Sequence, residues 1–415
     1  MIITGIDLGS YSFKMALCEE TAEGLELICL KEIAADGLKK GAIVNMEKVV
    51  TALDKLIYSV TEETGITIKE CYVAYSSEKL EAFNSDGVMA IDLRGKGRAI
   101  TQEDKELVVK QSEAIPISDD KVIAHTIPLQ FAVDNNEQVK DPINMVAVRL
   151  RAMSHIIIAN GTLLNNIYSA IKRCGLMPLA LVYSPLAAAG VILSSGEREN
   201  GTLFIDIGGA NTKLSFYQHG NCYFNYTLPI GGITLTGDLA YMLKISFELA
   251  ENLKIKHGFC YKPLLEREDF VYLPGNADSN PRSVSEHYIC DILTARMSEI
   301  YSVAKEVMHN KGWLAYTNSL VIGGGGNELP GSAELASKIF DKAARNGYVS
   351  GLEKLASNER GSSYGSVLGL CKKNIMTNID KPIEKKEILG HNKKTGSTPL
   401  KSDSFNLVKW VKDFF

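Results

Sequence analysis

Two segments far apart in the chain share one pattern, in which a short apolar strand ends in an aspartate and runs into a glycine turn. The first is Ile6-Asp7-Leu8-Gly9-Ser10, and the second is Phe204-Ile205-Asp206-Ile207-Gly208-Gly209. A glycine at such a turn lets backbone N–H groups approach phosphate oxygens without an intervening Cβ, and the aspartate can face a metal ion. Two such hairpins facing each other could bind the phosphates of a nucleoside triphosphate between them.

A third glycine turn strengthens this interpretation. A buried strand predicted at Leu320-Val321-Ile322 runs into Gly323-Gly324-Gly325-Gly326, and an Ala-rich helix is predicted to open at Ser184, before the second hairpin. Each turn alone is typical of ordinary strand connections, because Gly and Asp are common there for their backbone preferences. Three such turns at the ends of buried strands converge naturally on one nucleotide.

The length and composition predict a globular protein of two or more domains. The chain has 415 residues, which is more than a single hydrophobic core usually stabilises, and 45% of them are hydrophobic, which is enough to form two or more cores. No run of about 18 uncharged apolar residues predicts a membrane span, and the first residues lack the basic region of an export signal. The eight cysteines are scattered, without a Cys-x-x-Cys pair or a His-Glu-x-x-His segment. We therefore expect a cytoplasmic chain with reduced thiols and no structural metal.

The charge is distributed unevenly. Residues 372–415 contain ten lysines and five acids, a net charge of +5, so the rest of a chain with net charge −4 carries −9. This asymmetry argues against nucleic acid as a partner of the acidic body and points to an anionic surface for the tail. Residues 374–402 have few apolar side chains and are predicted to form a disordered linker.

The last segment, 403–415, has the pattern of an amphipathic helix. On a helix, the apolar residues share a face roughly 160° wide, opposite Asn406, Lys409, Lys412 and Asp413. The segment is too short to span a bilayer but suits its interface, where each lysine near anionic headgroups contributes about 1 kcal/mol. The alternative is a helix that docks on the chain's own core; the long polar linker favours the membrane. The predicted membrane-facing residues are Leu407, Val408, Trp410, Val411, Phe414 and Phe415, with Phe405 just outside the arc.

Together these motifs resemble the actin/Hsp70/sugar-kinase superfamily and, within it, the FtsA family of actin-like bacterial division proteins. The resemblance covers nearly the whole chain. It rests on the three glycine turns, the amphipathic end, Asp36 to Ile43, and Gly231-Gly232 entering a segment with Ala250-Glu251-x-x-Lys254. It implies an α/β fold of actin-like architecture, with duplicated ribonuclease-H-type domains around a nucleotide cleft, an FtsA-type inserted subdomain and a C-terminal amphipathic helix. The expected divisions are 1–82 plus 161–199 (core subdomain 1A), 83–160 (inserted subdomain 1C), 200–232 plus 310–373 (core subdomain 2A), 233–309 (subdomain 2B), 374–402 (linker) and 403–415 (membrane-targeting helix).

The resemblance also implies the ligands and their contacts. ATP is the expected nucleotide and Mg²⁺ its cation, with Asp7 and Asp206 holding the metal through water. Without the resemblance, Glu251 and Lys254 would be an ordinary solvated helix pair. The residues implied to contact the nucleotide are Gly9, Ser10, Lys14, Gly208, Gly209, Asn211, Glu251, Lys254, Gly323, Gly324 and Gly325.

Two departures from the superfamily pattern predict weak catalysis. The second glycine turn continues Ala210-Asn211-Thr212-Lys213 where the superfamily often has Gly-Thr-x-Asp, and Ser184 stands where an acid or amide usually orients the attacking water. A hydroxyl is not a general base at neutral pH without help, and a lysine carries positive charge where an acceptor is wanted. We expect ATP binding with at most slow hydrolysis, and no catalytic residue is assigned.

The partners follow from the resemblance. They are the C-terminal peptide of FtsZ, further copies of the chain in a filament, the anionic inner membrane and later division proteins, and the expected location is the division site. Arg282 and Arg296 match basic positions of the FtsZ-binding surface, although each could equally be an isolated surface arginine. The alternatives are a PilM-like pilus-assembly adaptor, a small-molecule kinase and a chaperone-type ATPase. The predicted linker and amphipathic helix at 374–415 argue against the pilus adaptor and the chaperone-type ATPase. Lys213 and Ser184 argue against the kinase, because they stand where catalytic groups would be needed.

Overall fold

The structure is a computed structural model that describes residues 1–372 except 23, 93 and 276–279. The predicted linker at 374–402 and the predicted amphipathic helix at 403–415, with its seven membrane-facing residues, lie outside the described residues. Among the described helices, none combines the length and the hydropathy of a bilayer span.

The chain begins with an antiparallel meander followed by a helix and a parallel strand. β1 is apolar along almost its whole length and is covered on both faces, as a central strand requires. The helix α1 begins at the Asn45 cap, whose side chain accepts from Lys48 N–H, and ends at Gly65 in the left-handed conformation. The elements are β1 (Ile2–Leu8), β2 (Ser12–Glu20), β3 (Leu25–Ala34), β4 (Leu38–Lys39), β5 (Ala42–Ile43), α1 (Met46–Thr64) and β6 (Glu70–Tyr75).

An inserted subdomain follows, with its own four-stranded sheet in the order β10-β9-β12-β7. Its helix α2 covers one face and opens with a capping box between Thr101 and Asp104. A small core of buried apolar side chains lies between this helix and the sheet. The elements are β7 (Glu81–Ala90), β8 (Arg98–Ala99), α2 (Gln102–Ser112), β9 (Lys121–Val133), β10 (Asn136–Val139), β11 (Val146–Ala147) and β12 (Arg149–Asn160).

The chain then returns to the first sheet and crosses to a second one. The returning elements are α3 (Gly161–Arg173), β13 (Met177–Tyr183), α4 (Ser184–Ile192) and α5 (Ser195–Glu199). The elements of the second half are β14 (Thr202–Ile207), β15 (Thr212–Gln218), β16 (Asn221–Leu228), α6 (Gly232–Leu243), α7 (Phe247–His257), β17 (Phe270–Leu273), β18 (Arg282–Ser285), α8 (Glu286–Asn310), β19 (Ser319–Gly323), α9 (Ser332–Phe340), β20 (Ala343–Asn346) and α10 (Gly365–Leu370).

The two main sheets have the same topology. The first has the order β13-β6-β1-β2-β3 and the second β20-β19-β14-β15-β16. In each, an antiparallel three-stranded meander is extended by two parallel strands on the side of its first strand. Each sheet has its own large buried core. The duplication predicted from the two Asp-Gly hairpins is therefore present in the fold.

The inserted sheet is joined to both halves through buried histidines. His125 Nε2 on β9 accepts from the backbone N–H of Tyr183 at 3.0 Å. The ring of His155 on β12 lies between two amide oxygens, with Nδ1 2.7 Å from Asn84 Oδ1 and Nε2 3.0 Å from Asn225 Oδ1 on β16. Burial lowers the pKa of His125 to about 3 and that of His155 to about 4. Both rings are therefore neutral at pH 7.

Two segments depart from the pattern of their sequence. Residues 332–344 have the pattern of a single helix, but the helix ends at Phe340, because Asp341 adopts the left-handed conformation (φ 57°) and the chain enters β20. The 233–309 region has a mostly helical sequence pattern with a polar segment at 275–281, but it also contains the antiparallel pair β17 and β18 on either side of that segment. β-branched and aromatic residues in these two short strands favour pairing over helix.

Candidate functional site

A cavity of about 620 Å³ lies between the two main sheets, at the turns that end their central strands. This volume is in the range of small-molecule binding pockets. Its lining includes the β1–β2 turn, the β14–β15 turn, the start of α6, one face of α7 and the segment after β19. The lining also includes Ser362, Ser363 and Tyr364, before α10.

The glycine turns form much of the cavity wall. Gly9 and Ser10 face it from the first hairpin, and Gly208 and Gly209 from the second. The second turn is fixed to the start of α6, because Gly232 N–H donates to Gly208 O at 2.9 Å and Ile233 N–H donates to Gly209 O at 2.8 Å. The backbone of the second turn is thus held in place by the protein itself.

The third turn contributes Gly324 and Gly325 to the wall. Gly324 has φ +76°, and a Cβ there would lie 2.5 Å from Asp206 Oδ1, so this position requires glycine. Gly323 belongs to β19 and is not part of the cavity lining; a Cβ on it would meet the ring of Phe204 at 2.5 Å. Gly326, which sequence reasoning did not select, lines the cavity instead.

Charged side chains meet at the floor of the cavity. In each hairpin the register places a lysine opposite the aspartate, so that Asp7 pairs with Lys14 and Asp206 with Lys213. Lys213 Nζ lies 3.1 Å from Asp206 Oδ2, and both side chains are about nine-tenths buried. Burial raises the pKa of Asp7 to about 6, opposed by the positive charges of Lys14 and Lys213.

These residues do not fit the predicted Mg²⁺. A magnesium ion favours an octahedron of oxygen ligands and neighbouring carboxylates free to face it. Here the Asp206 carboxylate already contacts an ammonium group, and Lys14 stands opposite Asp7.

Glu251 and Lys254 form a partly buried network on α7, not the solvated pair that a helix spacing alone would suggest. Lys254 Nζ lies 2.7 Å from Glu251 Oε2, 2.8 Å from Thr236 Oγ1 and 3.1 Å from Gly232 O. The Thr236 hydroxyl donates to the same Glu251 oxygen. Burial lowers the pKa of Lys254, opposed by Glu251. Both side chains line the cavity next to the second glycine turn.

Two buried polar side chains in the cavity wall have atoms without a hydrogen-bond partner among the described residues. Asn211 is 2% exposed, and neither its Oδ1 nor its Nδ2 has a partner among the described residues. Ser184 Oγ, at the start of α4, is also buried without a partner there. Because buried polar groups are normally satisfied, both point to a polar ligand or ordered water in the cavity.

Other lining residues, among them Tyr11, Glu32, Ser363 and Tyr364, were not predicted from the sequence. Lys14 Nζ donates to Ser363 O at 2.9 Å and lies 5.3 Å from the ring centroid of Tyr364, so the first hairpin is tied to the segment before α10. Tyr11 and Glu32 complete this side of the cavity. No sequence motif marks these positions, since they meet only through the tertiary fold.

The two arginines predicted to bind a partner lie away from the cavity. Arg296 on α8 forms a bidentate ion pair with Asp238, with distances of 2.6 Å from Nε to Oδ2 and 3.0 Å from Nη2 to Oδ1, and it also contacts Glu299. Its charge is therefore already compensated. Arg282 on β18 is exposed, and its Nη2 donates to Leu243 O at the end of α6.

Solved structures with the same fold include two kinds of actin-like protein. A chain of the PilM-PilN type IV pilus biogenesis complex superposes with a TM-score of 0.65 at 16% identity, covering 91% of this chain and 99% of that one. MreB5 of Spiroplasma citri bound to ADP superposes with a TM-score of 0.53 at 15% identity, covering 91% and 98%. These likenesses confirm the predicted actin-like α/β fold.

Relatives in sequence are more specific. The family described as "Cell division protein FtsA" matches residues 203–369, and the "SHS2 domain inserted in FTSA" matches residues 77–158. Cell division protein FtsA of Borreliella burgdorferi is 30% identical over 372 residues, covering 89% of this chain and 90% of the relative. FtsA of Pseudomonas aeruginosa is 28% identical over 371 residues, covering 89% and 88%. This chain therefore belongs to the FtsA family of cell division proteins.

Proposed function

We propose that this chain binds ATP in the cavity between its two sheets and, in that state, holds FtsZ at the cytoplasmic face of the inner membrane during division. The observation that carries the proposal is the meeting of three glycine turns and unpaired buried polar groups at one cavity, in a chain of the FtsA family. The ADP bound to MreB5, an actin-like protein of the same fold, supports a nucleotide as the ligand.

The contacts proposed for ATP follow from the cavity wall. The glycine turns at Gly9–Ser10 and Gly208–Gly209 lie against the phosphates, helped by the ammonium of Lys14. Asn211 donates from its unpaired amide to the phosphates. Glu251 and Lys254 border the ribose and adenine, and Gly324 and Gly325 allow the adenosine a close approach.

Hydrolysis is proposed to be slow, because Lys213 and Ser184 stand at the two positions from which the attacking water is usually oriented. Lys213 is positively charged and engaged with Asp206, and Ser184 presents only a hydroxyl. ATP then acts as a ligand that favours one of two conformations of the chain, and so biases its assembly into filaments. The relative orientation of the two sheets around the cavity is the element that such a ligand would set.

The surface proposed for the FtsZ peptide lies on subdomain 2B, residues 233–309. Exposed apolar side chains there include Tyr241, Phe270 and Tyr272, which are 82%, 65% and 66% exposed. Arg282 is bonded to the end of α6 just beside them, and it has no carboxylate partner among the described residues. We assign the acidic peptide end to Arg282, not to Arg296, which Asp238 and Glu299 already neutralise.

The inserted subdomain, residues 83–160, is proposed to contact later division proteins and neighbouring copies of the chain. The family assignment favours this function over the pilus adaptor and the small-molecule kinase.

Membrane attachment is assigned to the segment 403–415 and is tested by liposome co-sedimentation with purified FtsZ. The chain with ATP should carry FtsZ into the pellet of anionic liposomes, and Trp410→Glu should reduce that recruitment at least about tenfold, because a charge replaces an aromatic anchor in the interface.

The matched control is Asn406→Glu, which adds the same charge to the predicted polar face and should leave recruitment nearly unchanged. A chain ending at Asp403 should bind no liposomes. Equal pelleting of all four chains, or of none, would contradict the membrane assignment.

A further inference from the structure

The two glycine hairpins repeat one pairing of opposite charges. Each places a lysine seven residues after its aspartate and directly across the strand pair, as Asp7 with Lys14 and Asp206 with Lys213. The second pair is the tighter one, with a distance of 3.1 Å between Lys213 Nζ and Asp206 Oδ2. Lys213 is 9% exposed and Asp206 is 5% exposed, so this ion pair is built into the floor of the cavity.

The ammonium group of Lys213 lies directly against the second glycine turn. Its Nζ is 3.1 Å from the point that a Cβ on Gly208 would occupy. The same turn lines the cavity and is held in place, since the carbonyl groups of Gly208 and Gly209 accept hydrogen bonds from the start of α6. A phosphate seated on this turn would therefore lie within reach of a fixed positive charge.

A divalent cation at Asp206 would have to share that carboxylate with Lys213. Two cations on one carboxylate repel each other strongly where water is excluded, and an ammonium group has no lone pair to offer a metal. The Lys213 side chain is about nine-tenths buried and borders the cavity. An ammonium group thus already occupies the place beside the Asp206 carboxylate that a cation would take.

We infer that Lys213 takes the place of the divalent cation in this cleft, so that the nucleotide binds without Mg²⁺. This inference rests on the proposed ATP binding and goes beyond it, because it names the group that neutralises the phosphates. Lys14, anchored by Ser363 O at 2.9 Å, provides a second fixed charge from the opposite hairpin.

The test is a calorimetric titration of the full chain with ATP, in excess Mg²⁺ and in excess EDTA. The wild-type chain should bind with affinities that agree within about threefold in the two buffers. Lys213→Met should bind about 10- to 100-fold more weakly in EDTA, as for the loss of a charge-assisted hydrogen bond, and should recover part of that affinity in Mg²⁺ once Asp206 is free.

Two further variants separate charge from folding. Lys213→Arg keeps the positive charge and should bind in EDTA within a few-fold of the wild-type chain. Lys305→Met is the matched control, since Lys305 is a partly buried lysine on α8 that bonds Ile339 O and lies outside the cavity lining. It should leave ATP binding unchanged in both buffers.

The outcomes distinguish the inference from the proposed function. A wild-type chain that binds ATP in Mg²⁺ but at least tenfold more weakly in EDTA would overturn the role of Lys213 and leave ATP binding intact. The same conclusion would follow if Lys213→Met bound in EDTA like the wild-type chain. Absence of binding in both buffers would overturn the proposed ATP site itself. If Lys213→Met does not fold, the wild-type comparison and Lys213→Arg still decide.

Discussion

Leucine in place of Gly325 is expected to lower the affinity for ATP about 100-fold while the chain remains folded. Gly325 lines the cavity, and a Cβ there would meet nothing nearer than the Ser363 Cβ at 4.0 Å, which is itself a lining residue. The new side chain therefore extends into the space proposed for adenosine without displacing core atoms. Overpacking against a rigid ligand costs up to about 3 kcal/mol, which corresponds to about two powers of ten in affinity.

Gly196→Leu is the matched control for this substitution. Gly196 lies on the exposed helix α5, has no atom within 4 Å of an added Cβ, and is not part of the cavity lining. Both variants should melt within a few degrees of the wild-type chain in a thermal shift assay without ligand. If Gly325→Leu bound ATP as tightly as Gly196→Leu, adenosine could not lie against the third glycine turn.

Acidification from pH 7 to pH 5 should destabilise the fold by about 2 kcal/mol for each of His125 and His155. Both have a folded-state pKa below the ordinary value of 6.5, about 3 and about 4, because burial penalises the charged ring. Protons therefore bind the unfolded chain first as the pH falls below 6.5, and each unit is worth about 1.4 kcal/mol until the folded-state pKa is reached. Asp7 has the opposite effect. Its pKa is about 6 in the folded chain, so it takes up a proton in the folded state between pH 7 and pH 5, and this stabilises the fold by about 1 kcal/mol.

Glutamine variants isolate the contribution of each histidine. His125→Gln keeps an acceptor for the Tyr183 N–H but has no titrating group, so denaturant unfolding of this variant should lose about 2 kcal/mol less than the wild-type chain between pH 7 and pH 5. His155→Gln should behave similarly. Identical pH dependence in the wild-type chain and both variants would show that the buried rings do not titrate on unfolding.

The duplicated core was predictable because its signals are local. Each central strand is almost uninterruptedly apolar and ends in aspartate and glycine, and α1 carries its own cap at Asn45. The cavity could be anticipated for the same reason, since strands of one sheet deliver their turns to one edge. Lys213 was recognised as unusual from its position in the second hairpin, and the matching spacing from Asp7 to Lys14 was a further signal in the sequence.

What escaped prediction depends on contacts between distant segments. Gly323 and Gly326 look alike in a run of four glycines, and only the fold shows that one packs under Phe204 while the other faces the cavity. The neutralisation of Arg296 depends on Asp238, 58 residues away, and the tie between Lys14 and Ser363 spans 349 residues. No periodicity or motif encodes such pairings.

The central claim, that one nucleotide is gripped by three glycine turns, is tested most directly by hydrogen–deuterium exchange of the full chain with and without ATP. Exchange should slow at the turns containing Gly9, Gly208 and Gly324 together, since all three line the same cavity, and should change little in the strands of the inserted sheet. Protection confined to another part of the chain, or unchanged exchange at all three turns with ATP in excess, would contradict the account.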